Sequence, residues 1–186
     1  METSPAPLSS TLAGVRFLLT LVLLLSAASG EESVVWVGAF DDFRFTEEHQ
    51  YGYGVDLWRQ QNAVLGLFFV AQGLTGDTPR AVLEDAQHNL TSGSVSFGAR
   101  LTRGTHSCRR HENVPAREIY RFEGRLEPHR LVGELTRVDV LHPGAPFETL
   151  RLELKRARDR EQTQFESLSA WWAFVERVHR VKPDPW

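Results

Sequence analysis

The sequence predicts a mainly β fold: an antiparallel up-and-down meander of seven or eight strands that forms a barrel or half-barrel, plus one C-terminal amphipathic α-helix. Two observations predict this fold. Apolar residues alternate with polar ones through most of the chain, and turn residues interrupt the alternation at short intervals. Near the C-terminus the apolar period changes from two residues to three or four, which is the spacing of one helix face.

The first thirty residues differ in composition from the rest. Arg16 precedes an apolar run from Phe17 to Leu25, and small residues follow from Ser26 to Gly30. This order is typical of a secretory signal. The apolar run is too short to span a membrane, because a spanning helix needs about 20 residues. The sequence therefore predicts a signal peptide over 1–30, cleaved after Ala28 or Gly30, and a secreted or periplasmic protein.

The remaining residues, 31–186, are predicted to form a single β-rich domain. The formal net charge of −3 argues against nucleic acid as a partner, because nucleic acid requires a concentrated basic face. No second long apolar run follows, so no transmembrane span is expected after cleavage of the signal. Cys108 is the only cysteine, which excludes an internal disulfide.

Strands are predicted over about 34–156, separated by turn clusters. The clearest alternations cover 51–57, 94–101, 120–126 and 150–154. The segment 63–71 is nearly all apolar, which is typical of a strand that is buried on both faces or that faces a packed helix. Residues 81–88 fit either a strand or a short helix.

The C-terminal helix is predicted over about 160–181. Its apolar face has spacings of three and four and comprises Phe165, Leu168, Trp172, Val175 and His179. Thr163 and Glu166 have the spacing of a capping box. This face places Trp172 toward the core and leaves Trp171 partly exposed, so a protein partner is expected near Trp171.

The layout of export signal, meander and C-terminal helix resembles the lipocalin-like (calycin) group of β-barrels. The segment Trp36-Val37-Gly38-Ala39-Phe40 lies where such families place a Gly-x-Trp near the first strand, with Phe40 as the aromatic residue after Gly38. The resemblance covers most of the domain at the level of architecture and implies a barrel. A fold by itself does not assign a function.

Six aromatic residues at strand positions are the candidate ligand pocket: Tyr51, Tyr53, Phe68, Phe97, Tyr120 and Phe122. If the sheet closes loosely, these side chains line an apolar cavity that suits a small hydrophobic ligand. If it closes tightly, they fill the core. The sequence leaves both alternatives open.

The polar segment around Cys108 contains the weak candidates for a metal site, His106, Cys108 and His111. Imidazole and thiolate are good zinc ligands, and a thiol beside an imidazole is also the pair that nucleophilic catalysis uses. However, no established metal-binding spacing is present, and Arg109 and Arg110 would repel a cation. We therefore expect a solvated loop here, with no metal, no cofactor and no catalytic residue.

These observations rank three functions. The first is an exported, non-enzymatic protein that binds a small hydrophobic ligand in a lipocalin-like barrel. The alternative is a structural or protein-interaction module with a filled core. An enzyme of unknown type comes third, because no catalytic motif accompanies the candidate residues.

Overall fold

The computed structural model describes residues 32–74, 78–106, 114–142, 144, 148–160 and 162–179. The chain divides into two units, residues 1–31 and Glu32–Trp186, and everything described belongs to the second unit. The signal peptide expected over 1–30 lies outside the described residues.

The described part of the chain is mainly β, as predicted. The strands are β1 Val35–Asp41, β2 Arg44–Phe45, β3 His49–Gln60, β4 Ala63–Leu74, β5 Arg80–Val82, β6 Glu84–His88, β7 Ser94–His106, β8 Val114–Glu127, β9 Arg130–Asp139 and β10 Glu148–Arg156. All pairings are antiparallel, in the order β5-β4-β3-β1-β10-β9-β8-β7-β6, and β2 pairs only with β3. Most sequence neighbours are therefore sheet neighbours, which is the topology of a meander. The exceptions are β1, which pairs with β3 and β10 rather than with β2, and the successive strands β5 and β6, which stand at the two ends of the order.

The two ends of this strand order meet at Leu83, so the barrel is nearly closed. The Leu83 N–H donates to the Gly66 carbonyl in β4 at 2.9 Å, and the next residue, Glu84, pairs with Gly98 in β7. Residues 81–88 are thus strand rather than helix. The chain bends there between β5 and β6, which explains why the structure has more strands than the alternation alone predicts.

Alternate residues of each strand fill the barrel interior. The buried interior side chains include Val55, Leu57, Phe68, Phe97, Tyr120, Phe122, Leu131, Leu135, Leu152 and Leu154. Strand β4 is buried on both faces, as its apolar run predicts, because Phe68 lies inside while Leu67 and Phe69 belong to a cluster on the outer face. Apolar burial of this extent is the main stabilising contribution to the fold.

One end of the barrel is tied together by Arg156 at the end of β10. Its guanidinium lies over the ring of Phe40, 4.8 Å from the ring centre. It donates to the carbonyls of Pro128 and Val37 at 2.8 and 2.9 Å. Gly38 has a φ of 156°, and a Cβ at this position would collide with the Arg156 guanidinium. This contact joins the first strand, the last strand and the turn after β8.

The C-terminal helix begins later than predicted, at Leu168. Residues before it run extended across the barrel: Phe165 exchanges backbone hydrogen bonds with Val34 at 2.8 and 3.0 Å, and the Thr163 carbonyl accepts from the Trp58 indole at 2.9 Å. The helix α1, Leu168–Phe174, is capped by Ser167, whose side chain accepts from the Ala170 N–H. The predicted capping box of Thr163 and Glu166 is therefore wrong, because this segment pairs with the barrel instead.

The orientation of the two adjacent tryptophans is the reverse of the prediction. Trp171 has 0% exposure and Trp172 has 41%. Trp171 packs against Trp58, with ring centres 6.0 Å apart, and Val175 in the π-helix Val175–His179 joins the same outer cluster. Leu168 and Val175 lie on the predicted face, but Trp171 lies between them on that face in place of Trp172. The pattern was ambiguous because spacings of three and of four residues both fit one helix face. No helix among the described residues is both long and apolar enough to cross a membrane.

Candidate functional site

Five of the six aromatic residues proposed as a pocket meet inside the barrel. Phe68 is the centre of the group, with its ring centre 5.1 Å from that of Tyr120 and 6.0 Å from those of Tyr53 and Phe97. Phe97 stacks on Phe122 at 5.0 Å. The rings therefore come from β3 and β4 on one side of the bend between β5 and β6, and from β7 and β8 on the other side. They contact one another across the interior.

The deeper members of this aromatic group are tightly packed. Phe68, Tyr120 and Phe122 keep at most 1% of their surface exposed, and Phe97 keeps 4%. A side chain that lined an open cavity would retain surface that a water molecule could touch. Close packing of this kind matches the density of ordinary protein cores. These four side chains fill the interior around them.

Tyr51 and Tyr53 lie toward the opposite end of the barrel from Arg156, which we call the barrel mouth. Tyr51 is 45% exposed and its ring stacks near that of His49, with centres 6.0 Å apart. The structure does not bring Tyr51 into the interior group. Tyr53 is half-buried and packs against the core, so its ring forms part of the floor of the mouth.

Charged side chains point into the barrel at the same end. Glu118 is buried, and its carboxylate accepts from the Tyr120 hydroxyl at 2.7 Å. Arg137 pairs with Tyr120 across β8 and β9. Its guanidinium lies 3.8 Å from Glu118 and 3.2 Å from Glu148. We call Tyr53, Glu118, Tyr120, Arg137 and Glu148 the mouth cluster.

Arg137 is the positive charge of the mouth cluster, and its side chain is partly accessible. Its side chain is 32% exposed, compared with 8% for Glu118. Burial tends to lower the pKa of Arg137, but the nearby Glu118 and Glu148 carboxylates raise it above its ordinary value. The side chain therefore stays charged. It makes two ion pairs but donates no hydrogen bond to another residue in the described ranges.

The interior position of Glu118 and Arg137 could have been predicted from their places in the strand alternation. Glu118 has the same strand parity as Tyr120 and Phe122, and Arg137 has the same parity as Leu135. Successive side chains in a strand point to opposite faces, so these positions face the interior. Charged residues are unexpected at such positions because charges are seldom buried unless they are paired.

A second charged site lies on the outer face of the barrel. Asp56 in β3 is buried beneath the segment that leads to the C-terminal helix, and Nη1 of Arg160 donates to both of its carboxylate oxygens at 2.9 Å. Burial raises the pKa of Asp56 to about 6, although the Arg160 charge acts in the opposite direction. Burial also raises the pKa of the nearby Asp41. The ion pair between Asp56 and Arg160 links the C-terminal segment to the barrel wall.

The candidate residues for metal or thiol chemistry fall where the structure does not describe side chains. His106 ends β7, and its side chain is outside the described part of the structure. Cys108 and His111 also lie outside the described residues. The expectation of a solvated loop without a metal therefore stays a prediction.

Comparisons with known proteins find no matching family model, no matching curated protein and no matching solved structure. The nearly closed antiparallel barrel agrees with the architecture of the calycin group at the level of strand arrangement. The mouth cluster is the best-defined functional candidate, because it combines charge, partial exposure and an apolar surround.

Proposed function

We propose that this protein binds a small, largely apolar ligand at the barrel mouth, with the polar end of the ligand against Arg137. The observation that carries the proposal is the state of Arg137: a half-buried, charged guanidinium that donates no hydrogen bond within the described residues. A guanidinium has five N–H donors, and the two nearby carboxylates do not use all of them. A ligand acceptor would pair with a remaining donor.

The apolar part of the ligand has a surface to rest on beside Arg137. Tyr53 and Leu150 both pack against the interior core and both remain partly exposed at this end of the barrel. Below them the packed aromatic group closes the interior. Ligand sites generally combine an apolar lining with a few fixed polar groups, and the mouth supplies both without requiring a hollow barrel.

The charges of the mouth cluster favour an uncharged polar end. Two acidic side chains, Glu118 and Glu148, already lie beside the single positive charge of Arg137. An incoming anion would be repelled by the half-exposed Glu148, and an incoming cation would be repelled by Arg137. A carbonyl or ether oxygen accepts from the guanidinium without adding a net charge. We therefore infer a ligand with an aromatic or aliphatic body and a neutral acceptor.

A fluorescence titration of the full chain tests this proposal. The probe is Prodan, a neutral naphthalene ketone whose emission shifts to the blue in apolar surroundings. We expect saturable binding, and we expect Arg137→Gln to weaken it by about tenfold, the loss of roughly one charge-assisted hydrogen bond. Arg121→Gln, which changes an exposed arginine on the outer face of β8, is the matched control and should leave the affinity unchanged.

Two results of this titration would overturn the proposal. One is Prodan binding that Arg137→Gln leaves unaltered, which would place the ligand elsewhere. The other is the absence of saturable binding by any neutral probe of this size. Tighter binding of the anionic probe anilinonaphthalene sulfonate than of Prodan would contradict the inference that the polar end is uncharged.

We also propose that the protein is exported, on the basis of the N-terminal residues. Arg16, the apolar run and the small residues that follow it support this proposal. N-terminal sequencing of protein recovered outside the cytoplasm should begin at Ser29 or Glu31. Recovery of a chain that still begins at Met1 would argue against cleavage.

A further inference from the structure

Strand β10 has an open edge where it diverges from β1. Only Phe40 and Asp41 of β1 pair with it, opposite Arg156 and Lys155. After Asp41 the chain turns away to β2, which pairs with β3 instead. Within the described residues, β10 from Glu148 to Leu154 therefore has a strand partner only on the β9 side.

The backbone of this open edge points outward in a regular pattern. The Arg156 N–H donates to His129, on the β9 side, whereas the Ala157 N–H donates to Ala39, on the β1 side. The β9–β10 register is unbroken from Glu148 to Lys155. Because hydrogen-bonding directions alternate along a strand, the N–H and C=O groups of Arg151 and Glu153 face the open edge.

A groove lies between this edge and the diverging segment. It has a volume of about 540 Å³ and is lined on one side by Asp41 to Arg44. The other side is lined by Arg151, Leu152, Glu153, Lys155, Arg156 and Ala157. Leu152, which belongs to the barrel core, lines its floor. A single row of residues in extended conformation fits such a groove, as in the addition of a peptide strand to a sheet edge.

Cations predominate among the charges of the groove that have no ion-pair partner. Arg44, Arg151 and Lys155 line it and make no ion pair with another described residue. Two of the acids interact with cations, since Glu153 pairs with Arg130 at 3.2 Å and Asp41 interacts with Arg160. The third, Asp42, accepts from the Tyr53 N–H at 2.7 Å and has no ion pair with a described residue. A neighbouring groove of about 400 Å³ continues the basic character past Lys155 to Arg158.

We propose that the open edge of β10 binds an extended acidic peptide segment of a partner protein by strand addition. Acidic side chains of that segment, at every second position, lie beside Arg151, Lys155 and Arg44. The intervening apolar side chains face Leu152. The backbone groups of Arg151 and Glu153 supply the hydrogen bonds that hold the added strand. This site is separate from the barrel mouth and does not depend on ligand binding there.

The choice of a peptide over another polyanion rests on the backbone. A sulfated polysaccharide would engage the cations alone, and it would leave the aligned N–H and C=O groups of the edge unused. An open edge with aligned donors and acceptors is a template for another strand. A second copy of the chain carries the same exposed cations on its own β10, so an acidic segment is the better complement.

A binding experiment with the full chain tests the proposal. The probe is a fluorescent hexapeptide in which Glu and Val alternate, measured by anisotropy. We expect the double variant Arg151→Glu/Lys155→Glu to weaken binding by about tenfold or more, since two favourable charge pairs become repulsive. The matched control is Arg121→Glu/Arg125→Glu on the outer face of β8, which is paired on both edges, and it should bind as the unaltered protein does.

A second peptide separates strand addition from simple charge attraction. It has the same sequence with alternate amides N-methylated, so it keeps its charge and loses the donors of one edge. We expect it to bind at least about tenfold more weakly, because it has lost backbone donors that pair with the edge of β10. The amides of Arg151 and Glu153 should exchange hydrogen more slowly when the unmodified peptide is bound.

Three outcomes would overturn the proposal. Equal binding of the methylated peptide, or displacement of the peptide by heparin with no protection of the Arg151 and Glu153 amides, would indicate a site for polyanions in general. Dimerisation of the protein through β10 would make a second copy the occupant. No binding of the alternating peptide would exclude strand addition by an acidic segment.

Discussion

Among single residues, Glu118 is the most informative, because it is a carboxylate buried inside an apolar barrel. Its partners are the hydroxyl of Tyr120 and the guanidinium of Arg137. A buried ion pair seldom adds net stability compared with apolar residues of similar size. This arrangement is the reason that we propose ligand binding at the mouth.

The Tyr120 hydroxyl should contribute measurably to folding. We expect Tyr120→Phe to lower the free energy of unfolding by about 2 kcal/mol, the range for a hydrogen bond to a buried charged group. Urea denaturation measures the change. The control is Tyr51→Phe, which removes the hydroxyl of an exposed ring and should change stability little. Equal effects in the two variants would contradict the contact between Tyr120 and Glu118.

Asp56 should make stability depend on pH between about 4 and 6. Its pKa is about 6 in the folded protein, above the ordinary value of 3.8. The group therefore contributes stability that is fully present below pH 3.8 and is lost as the pH rises through 6. Relative to Asp56→Asn, the folded protein should lose up to about 3 kcal/mol over this range.

Denaturation of both proteins at several pH values measures this difference. Asp159→Asn is the control, because Asp159 is an exposed acid on the same segment, and the variant should follow the unaltered protein. A constant difference between Asp56→Asn and the unaltered protein from pH 4 to 7 would show that the folded-state pKa of Asp56 is not raised.

Among the elements, the C-terminal helix depends on tertiary contacts rather than on its own sequence. Seven residues of α-helix are too few to be stable alone in water. The helix is held by Trp171 and Val175 against Trp58 in the outer cluster, and by the Phe165–Val34 pairing just before it. Its position is therefore set by the barrel surface.

The two adjacent tryptophans of this helix should differ sharply on substitution. We expect Trp171→Ala to cost about 3–5 kcal/mol, as for other buried large side chains, and Trp172→Ala to cost less than about 1 kcal/mol, as for surface positions. Trp171→Phe should be much milder than Trp171→Ala, because the buried Trp171 indole N–H has no acceptor among the described residues. Chemical denaturation of the three variants measures the order, and a larger effect at Trp172 would contradict the helix orientation.

For the whole molecule, the decisive question is whether the barrel is filled. The packing of Phe68, Phe97 and Phe122 predicts a solid interior. We expect Phe97→Ala to cost about 3–5 kcal/mol, because it opens a cavity in a packed core. Phe45→Ala, at a position 64% exposed, is the control and should cost little. A small effect at Phe97 would indicate that its ring already lines open space.

The sequence predicted the β class, the meander and a C-terminal helix because these follow from local periods of two and of three to four residues. It did not predict the start of the helix, because the Phe165–Val34 pairing joins residues far apart in the chain. The Asp56–Arg160 pair was missed for the same reason. The orientation of Trp171 and Trp172 was predicted wrongly because both positions fit the three- and four-residue spacing of a helix face.

The candidate site was predictable only in part. Aromatic residues at alternating positions correctly indicated the interior group of Tyr53, Phe68, Phe97, Tyr120 and Phe122. Tyr51 has the same parity but lies at the end of its strand, where exposure depends on how far the neighbouring strands extend. The alternation of side chains along a strand is enough to predict that Glu118 and Arg137 face the interior. Their contact with each other depends on the β8–β9 register.

The most direct test of binding at the barrel mouth is native mass spectrometry of the full chain, expressed in cells and desalted gently. We predict a bound neutral molecule of a few hundred daltons, the size that such sites take. It should be absent from Arg137→Gln and retained by the control Arg121→Gln. A bare chain mass in the unaltered protein, or a bound mass that Arg137→Gln retains, would contradict ligand binding at the barrel mouth.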